Sequence, residues 1–183
     1  MAHWTMLGLV ASAVMLAGCM AEQGTGSAGS SSPARQATAT LADASGANRG
    51  TATVTDTPAG LRLVIEGSGL PQGGHGLHVH TVGRCDAPDF ASAGPHWNPT
   101  GKMHGRDAPG GPHWGDLPNL IVGTDGSGRI EAVIAGTQLY GGSAPLIDSD
   151  GSAVVIHASP DDYKTDPSGN SGGRIACGVF TAQ

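Results

Sequence analysis

The chain has 183 residues, which is enough for one domain of ordinary size and an additional segment. Charged residues make up 13% and aromatic residues 4%, whereas glycine occurs 31 times. The formal net charge is −6 and the few Lys and Arg residues form no run, so the composition excludes a basic surface of the kind that binds nucleic acid.

The first 18 residues are predicted to be a targeting segment rather than part of the fold. Residues 6–17 are apolar but too few to span a bilayer. They run into Leu16-Ala17-Gly18-Cys19, which resembles the bacterial lipoprotein signal, although residues 1–5 carry no Lys or Arg. We expect cleavage before Cys19 and lipid attachment to it. The alternative is an ordinary secretory peptide with an incidental cysteine.

The next segment is expected to be a flexible tether over residues 19–35. Residues 22–33 are rich in Gly, Ser and Ala and have almost no large apolar side chain. Such a composition cannot bury enough surface to fold. The folded domain is therefore predicted to span residues 36–183.

Short apolar runs separated by turn signals predict an all-β domain. Alternation is plain in Leu61-Arg62-Leu63-Val64-Ile65-Glu66, and Asp125-Gly126-Ser127-Gly128 is typical of a turn. No segment keeps the period of 3.6 residues that a helix needs. The predicted strands span residues 37–42, 50–56, 61–67, 76–80, 120–124, 130–136, 153–157 and 175–181. Eight such strands favour an eight-stranded antiparallel Greek-key barrel or sandwich.

Two long segments interrupt the strands, residues 81–118 and residues 158–173. The first is rich in proline and contains most of the candidate metal ligands, and the second is polar and rich in glycine. Structureless segments of this length in a compact domain are usually functional. We expect these two loops to form the walls of a site.

Seven of the eight histidines lie between His75 and His157. His78 and His80 are two residues apart in a predicted strand, so they share one face. His113 and Asp116 are three apart with a glycine between, which suits a turn. Imidazole is the commonest protein metal ligand, nitrogen-rich sites favour copper(II), and three nitrogens with one oxygen suit zinc. The pattern predicts a two-metal site. The alternative is chance clustering of surface histidines.

Six stretches of the chain resemble the copper/zinc superoxide dismutases. They occur in the family's order, with near-family spacings, across residues 36–183. The stretches are HGLHVH (75–80), SAGPHWNP (92–99), His104, HWGDLPN (113–119), VVIHASPDD (154–162) and GGRIACGV (172–179).

The resemblance implies copper and zinc as cofactors and assigns ligands to both. It implies copper bound by His78, His80, His96 and His157, and zinc bound by His96, His104, His113 and Asp116. His96 would then bridge the two ions as an imidazolate, and no ligand of the family pattern is missing.

The resemblance also implies roles for residues around the metals. Asp161 would connect the two ligand shells, and His75 would tie loop backbone together without binding metal. Arg174 would attract and orient superoxide, and His96 would carry a proton during turnover. The alternatives are a solvated loop aspartate and a plain surface arginine.

Besides Cys19, the chain contains two cysteines, Cys85 and Cys177. An even number in an exported chain indicates a disulfide, and the resemblance implies the same pairing. Two buried free thiols are the alternative.

The predicted function is dismutation of superoxide anion to oxygen and hydrogen peroxide in the bacterial periplasm or cell envelope, with the protein held at the membrane by lipid on Cys19. The oligomeric state, monomer or homodimer, stays open. One alternative is a periplasmic copper/zinc storage or delivery protein. Another is a zinc hydrolase, but this needs a free carboxylate base, and Asp116 is already used as a ligand.

Overall fold

The computed structural model of the protein describes residues 1–4 and 35–183. The predicted lipidation site at Cys19, and nearly all of the predicted signal segment and tether, lie outside the described residues. All the strands belong to the unit Ser32–Gln183. In the described part of the chain, no helix is both long enough and apolar enough to cross a membrane.

The domain is built from ten strands. They are β1 (Gln36–Ala42), β2 (Asn48–Thr57), β3 (Gly60–Gly67), β4 (Gly73–His75), β5 (Leu77–His80), β6 (Leu120–Val122), β7 (Gly128–Ile134), β8 (Ala153–His157), β9 (Arg174–Val179) and β10 (Thr181–Ala182). All eight predicted strands are present. The two strands that were not predicted, β4 and β10, have only three and two residues, which is too short for an alternating pattern to show.

The strands form one curled antiparallel sheet in the order β5-β8-β9-β1-β2-β3-β7, with β10 paired to β1. β4 and β6 form a separate two-stranded sheet. Strands distant in sequence are neighbours, as in the pairs β5–β8 and β1–β9, and such crossovers are those of a Greek key. The all-β Greek-key prediction is confirmed. Among the described residues, the sole helical element is a 3₁₀ turn at Ala91–Ala93.

The interior of the curled sheet is filled by alternate residues of its strands. In β3, Leu61, Leu63 and Ile65 are fully buried, whereas Arg62 and Glu66 are exposed. This is the period of two that a strand with one solvated face requires. The face that points away from solvent therefore supplies the apolar core.

Strands β5 and β8 differ because they are buried on both faces. In β8, Val154 and Ile156 join the main core, whereas Ala153 and Val155 pack in a smaller cluster with Phe90 and Cys177. In β5, Leu77 and Val79 face the main core, so His78 and His80 point to the opposite side. The histidines of β5 thus lie on the outer surface of the sheet.

This outer surface is covered by two loops, residues 81–118 (the first loop) and residues 158–173 (the second loop). Neither loop contains a strand, as predicted. The small cluster around Phe90 and Val155 attaches the first loop to β8, and the disulfide Cys85–Cys177 attaches it to β9. The predicted disulfide is confirmed.

Candidate metal centre

The outer face of β5 and the end of β8 present three histidines to one point. His78 and His80 follow the alternation of β5, opposite Val155 and Ala153 of β8. His157 lies two residues after Val155 and therefore shares that face of β8, and its amide donates to the Gly76 carbonyl at 2.8 Å. This bond extends the pairing of β8 with β5 by one residue, which places the last residue of β8 beside the histidines of β5.

A fourth histidine, His96, is brought to the same point by the first loop. Trp97 donates its amide to the Val79 carbonyl at 2.8 Å, and His96 forms an isolated antiparallel bridge with His80. The loop thus runs beside β5 for a few residues as an extra strand would. Its side chains therefore share the alternation of β5, which directs His96 toward His78 and His80.

We call the resulting group the strand cluster: it consists of His78, His80, His96 and His157. All four are buried, and their ligand nitrogens lie within 4.8 Å of one another. Burying four imidazoles together is unfavourable unless their nitrogens find partners.

In three of these rings, one nitrogen is held by an acceptor. His78 Nε2 lies 2.8 Å from Asp161 Oδ2, His80 Nδ1 lies 2.8 Å from the Gly94 carbonyl, and His157 Nδ1 lies 3.2 Å from the Gly172 carbonyl. Since carbonyl and carboxylate oxygens accept, these nitrogens donate.

The other nitrogen of each ring then carries a lone pair. His78 Nδ1, His80 Nε2 and His157 Nε2 are buried and have no hydrogen-bond partner among the described residues. An unsatisfied buried polar atom costs about 1–3 kcal/mol. Three of them aimed at one point fit a metal ion, and an all-nitrogen set suits copper.

The second group, the loop cluster, is centred on Asp116 and contains His96, His104 and His113. Asp116 Oδ1 lies 2.9 Å from His96 Nδ1, 3.1 Å from His104 Nδ1 and 3.2 Å from His113 Nδ1. A tetrahedral zinc ion with bonds of about 2.0–2.1 Å separates its ligand atoms by about 3.3 Å. The spacing and the three-nitrogen, one-oxygen set fit zinc.

The orientation of the Asp116 carboxylate is fixed by backbone. Asp116 Oδ2 accepts hydrogen bonds from the amides of Gly105 and His113 at 2.8 and 3.0 Å, which leaves Oδ1 for the three imidazoles.

His78 also comes within 4.8 Å of His96, His104 and Asp116. We nevertheless place His113 in this cluster, because His113 Nδ1 faces Asp116 Oδ1 directly whereas one nitrogen of His78 is bound to Asp161.

Asp161 connects the two clusters. Its carboxylate accepts from His78 Nε2 at 2.8 Å and from His104 Nε2 at 3.0 Å. Asn119 holds this residue in place, since it donates to the Asp161 carbonyl at 2.9 Å and accepts from the Asp161 amide at 2.8 Å. The resemblance predicts a connecting role for Asp161 but none for Asn119, although Asn119 ends the HWGDLPN stretch.

His75 belongs to neither cluster. Its ring nitrogens lie 2.7 Å from the His157 carbonyl and 2.8 Å from the Pro71 carbonyl. The side chain therefore links the backbone before β4 to the backbone at the end of β8.

Arg174, the first residue of β9, lies next to the strand cluster. Its guanidinium donates to the Phe90 carbonyl at 2.6 Å and to the Gly94 carbonyl at 2.8 Å. The carbonyl of Gly94 is also the partner of His80. No sequence pattern predicts the role of Phe90, whose backbone is left-handed with φ 56°.

Burial keeps the strand cluster neutral. Desolvation lowers the pKa of His78 to about 3 and that of His157 to about 4, and it also lowers the pKa values of His80 and His96. At neutral pH these imidazoles therefore have a free lone pair, which is the form that binds a metal ion.

The loop cluster behaves differently in the metal-free chain. Burial alone would lower the pKa of His104, but hydrogen bonds to Asp116 and Asp161 raise it to about 9. Burial would raise the pKa values of Asp116 and Asp161, yet the neighbouring imidazoles hold both well below their usual range. A cation bound here must therefore replace a proton on His104.

Residues 48–180 match the sequence profile of the family described as copper/zinc superoxide dismutase (SODC). The chain belongs to this family. It is 45% identical over 125 residues to Cu-Zn superoxide dismutase 1 of Aquifex aeolicus, an alignment that covers 67% of this chain and 74% of that protein.

Two further similarities concern Bacillus subtilis. The chain is 47% identical over 123 residues to the superoxide dismutase-like protein YojM, covering 66% of this chain and 63% of that one. The crystal structure of a SOD-like protein from the same organism matches the fold with a TM-score of 0.75 and 41% identity, covering 79% of this chain and 97% of that one. The likeness thus extends over nearly the whole described domain.

Proposed function

We propose that this protein dismutes superoxide to oxygen and hydrogen peroxide at a copper/zinc centre located outside the cytoplasm. The observation that supports the proposal best is the pair of adjacent clusters that share His96. A single metal would need only one of them. The membership of the chain in the copper/zinc superoxide dismutase family supports the same reaction.

In this proposal the strand cluster holds copper and the loop cluster holds zinc. The copper ligands are His78, His80, His96 and His157, and the zinc ligands are His96, His104, His113 and Asp116. Bound copper supplies one-electron chemistry, which oxidises one superoxide and reduces the next, whereas zinc is not redox active.

His96 is the residue through which the chain can manage a proton at the centre. Its Nδ1 faces Asp116 Oδ1 at 2.9 Å, so its Nε2 is the atom free to hold and release a proton on the side of the strand cluster. The reduction of superoxide to hydrogen peroxide needs protons, and a group beside the reacting anion can supply one.

Arg174 provides positive charge for the anion. Two carbonyl oxygens fix the guanidinium, and the guanidinium has five N–H donors, so several stay available to an anion. A cation held in place needs no reorganisation when the anion arrives. Arg174 can therefore attract superoxide and orient it beside His80.

Asp161 and Asn119 act on the ligands rather than on the anion. By accepting from one imidazole of each cluster, Asp161 determines which nitrogen of His78 and His104 is left for a metal ion. Partners of this kind commonly contribute 10- to 100-fold, as an order of magnitude, to metal affinity.

The location outside the cytoplasm is supported by the Cys85–Cys177 disulfide, because disulfides persist in oxidising compartments. We further propose that lipid on Cys19 anchors the protein in the bacterial periplasm or cell envelope. The Leu16-Ala17-Gly18-Cys19 motif and the Gly/Ser-rich segment after it support this part of the proposal.

The test is metal analysis together with a superoxide-consumption assay on protein that lacks residues 1–19. We expect about one copper and one zinc per chain and rapid, copper-dependent consumption of superoxide. Protein that binds both metals tightly but consumes no superoxide would instead be a copper/zinc storage or delivery protein. Protein that binds zinc alone after copper loading would exclude both functions.

A further inference from the structure

A cleft of about 470 Å³ opens beside Arg174. We call it the Arg174 cleft; its lining residues are Pro88, Asp89, Ala91, Gly172, Gly173 and Arg174. The Gly172 carbonyl is the partner of His157, and Arg174 shares the Gly94 carbonyl with His80. The cleft therefore lies beside the backbone that holds two histidines of the strand cluster, and Arg174 itself forms part of its wall.

The cleft contains one carboxylate, that of Asp89, which the proposed reaction does not use. Asp89 is exposed, and its Oδ1 accepts a hydrogen bond from the Ala91 amide at 3.0 Å. The next residue, Phe90, supplies the carbonyl that holds Arg174 Nη1. The turn thus fixes the carboxylate one residue away from an anchor of the guanidinium.

Within residues 1–4 and 35–183, Asp89 forms no salt bridge, and no carboxylate lies within salt-bridge distance of Arg174. The charge of Asp89 is thus not neutralised by a neighbouring cation. Although burial lowers the pKa of Arg174, the charge of Asp89 acts to raise it. The two opposite charges therefore interact across the cleft without forming a salt bridge.

We propose that Asp89 is a specificity-determining residue, which weakens the attraction of anions to Arg174 and does so more strongly for doubly charged than for singly charged anions. The Coulomb energy of an anion near Asp89 is proportional to the charge of that anion. If the carboxylate weakens a monoanion's binding by some factor, it weakens a dianion's binding by the square of that factor. Asp89 thus favours superoxide, a monoanion, over anions such as hydrogen phosphate. This inference rests on the proposed function, in which an anion must reach Arg174.

Asp89→Asn is the variant that isolates the charge. Asparagine keeps a side-chain oxygen for the Ala91 amide, so the turn and the Phe90 carbonyl should stay in place. Asp125→Asn is the matched control, because Asp125 is also exposed, accepts a hydrogen bond from the amide two residues later and forms no salt bridge among the described residues. Asp125 does not line the cleft. Wild type and the two variants should contain the same amounts of copper and of zinc after loading, which shows that the variants are folded.

The copper- and zinc-loaded proteins are titrated with azide, a monoanion, and its binding is followed through the visible absorption of the copper. Phosphate affinity is obtained from its competition with azide at about pH 8, where phosphate is mostly doubly charged. At low ionic strength, Asp89→Asn should bind azide about two- to fivefold more tightly and phosphate about four- to 25-fold more tightly. The rate constant with superoxide should rise about two- to fivefold. The gains in azide affinity, phosphate affinity and rate constant should all become smaller at about 0.5 M salt, where screening is strong.

The inference is overturned if Asp89→Asn binds each anion with the same affinity as wild type and Asp125→Asn do. If Asp89→Asn increases the affinity for azide and for phosphate by the same factor, Asp89 does not discriminate by charge. A lower superoxide rate constant in Asp89→Asn, with both metals still bound, would also contradict the proposal. If wild-type protein consumes no superoxide, the proposed function fails, whereas the comparison of azide with phosphate still decides the effect of Asp89.

Discussion

Arg174 and His80 donate hydrogen bonds to the same carbonyl oxygen, that of Gly94, each at 2.8 Å. One peptide group of the first loop therefore positions both the cation and an imidazole of the strand cluster. Because Phe90 and Cys85 belong to the same loop, the disulfide and the Phe90 turn support this arrangement. The loop is thus a part of the site rather than only its cover.

Replacing Arg174 should lower activity without loss of metal. Arg174→Ala should keep copper and zinc but lose about 1–3 kcal/mol of charge stabilisation, a decrease of roughly 5- to 150-fold in the superoxide rate constant. Arg174→Lys should recover part of the loss, since lysine keeps the positive charge but lacks the planar guanidinium and its paired N–H donors. The measurement is the rate constant at low salt with metal content determined in parallel. Equal rates for wild type and Arg174→Ala would contradict the assigned role.

Replacing single ligands should separate the two clusters. His157→Ala should remove copper and spare zinc, because His157 contributes only to the strand cluster. His113→Ala should remove zinc and spare copper, and His96→Ala should impair both. Metal analysis after dialysis decides between these outcomes. If His96→Ala impaired one metal only, His96 would not bridge the two sites.

Removing the disulfide should affect both stability and catalysis. The pair closes a loop of 92 residues, so Cys85→Ser with Cys177→Ser should lower the free energy of unfolding by up to about 4–5 kcal/mol in the chain-entropy account. Activity should fall as well, because the first loop positions Arg174. Denaturant unfolding and the superoxide assay measure the two effects. A reducing agent should reproduce both losses in wild type and change nothing further in the double variant; an unaltered wild type under reduction would argue against the coupling.

The metal-free protein should become less stable as the pH falls below about 6.5. Burial lowers the pKa of His78 to about 3 and that of His157 to about 4, whereas both are about 6.5 in the unfolded chain. Below pH 6.5 the unfolded chain therefore binds more protons than the folded one, and the free energy of unfolding decreases. At pH 5 the loss should be about 2 kcal/mol for each of these two histidines.

The pKa of His104 is raised to about 9, so its contribution to stability is lost at high pH rather than at low pH. Its contribution to stability is complete below about pH 6.5 and is lost as the pH rises through 9, so it does not oppose the acid effect. Urea unfolding between pH 7 and pH 5 measures the prediction, with His157→Gln as the control in which the dependence on pH should be less steep. Constant stability over this range would show that these histidines are not buried as neutral groups.

Replacing Cys19 should change the location of the protein. If lipid is attached to Cys19, Cys19→Ser should move the protein from the membrane fraction to the soluble fraction, because the predicted anchor is lost. Fractionation followed by immunodetection measures the distribution. A membrane-bound Cys19→Ser variant would show that something other than this cysteine holds the protein.

The sequence by itself determined the strands and the residue types of the site. The alternation in Leu61 to Glu66 is a local property of a strand with one buried face, and the eight strands predicted from apolar runs and turn signals are all present. The spacing of His78 and His80 places them on one face for the same reason. Motif resemblance added the remaining candidate ligands and the Cys85–Cys177 pair.

Only the tertiary structure decided how the loops are arranged over the sheet. Asp161 contacts His104 across 57 residues of sequence, and Arg174 contacts Phe90 across 84. The loops have no periodicity, and the conformation of Phe90 depends on packing against Val155 and Cys177. For the same reason the sequence did not reveal that Asn119 orients Asp161 or that Asp89 lines the Arg174 cleft. Strand patterns follow from neighbouring residues, whereas the positions of charges and carbonyls in loops follow from long-range contacts that form when the chain folds.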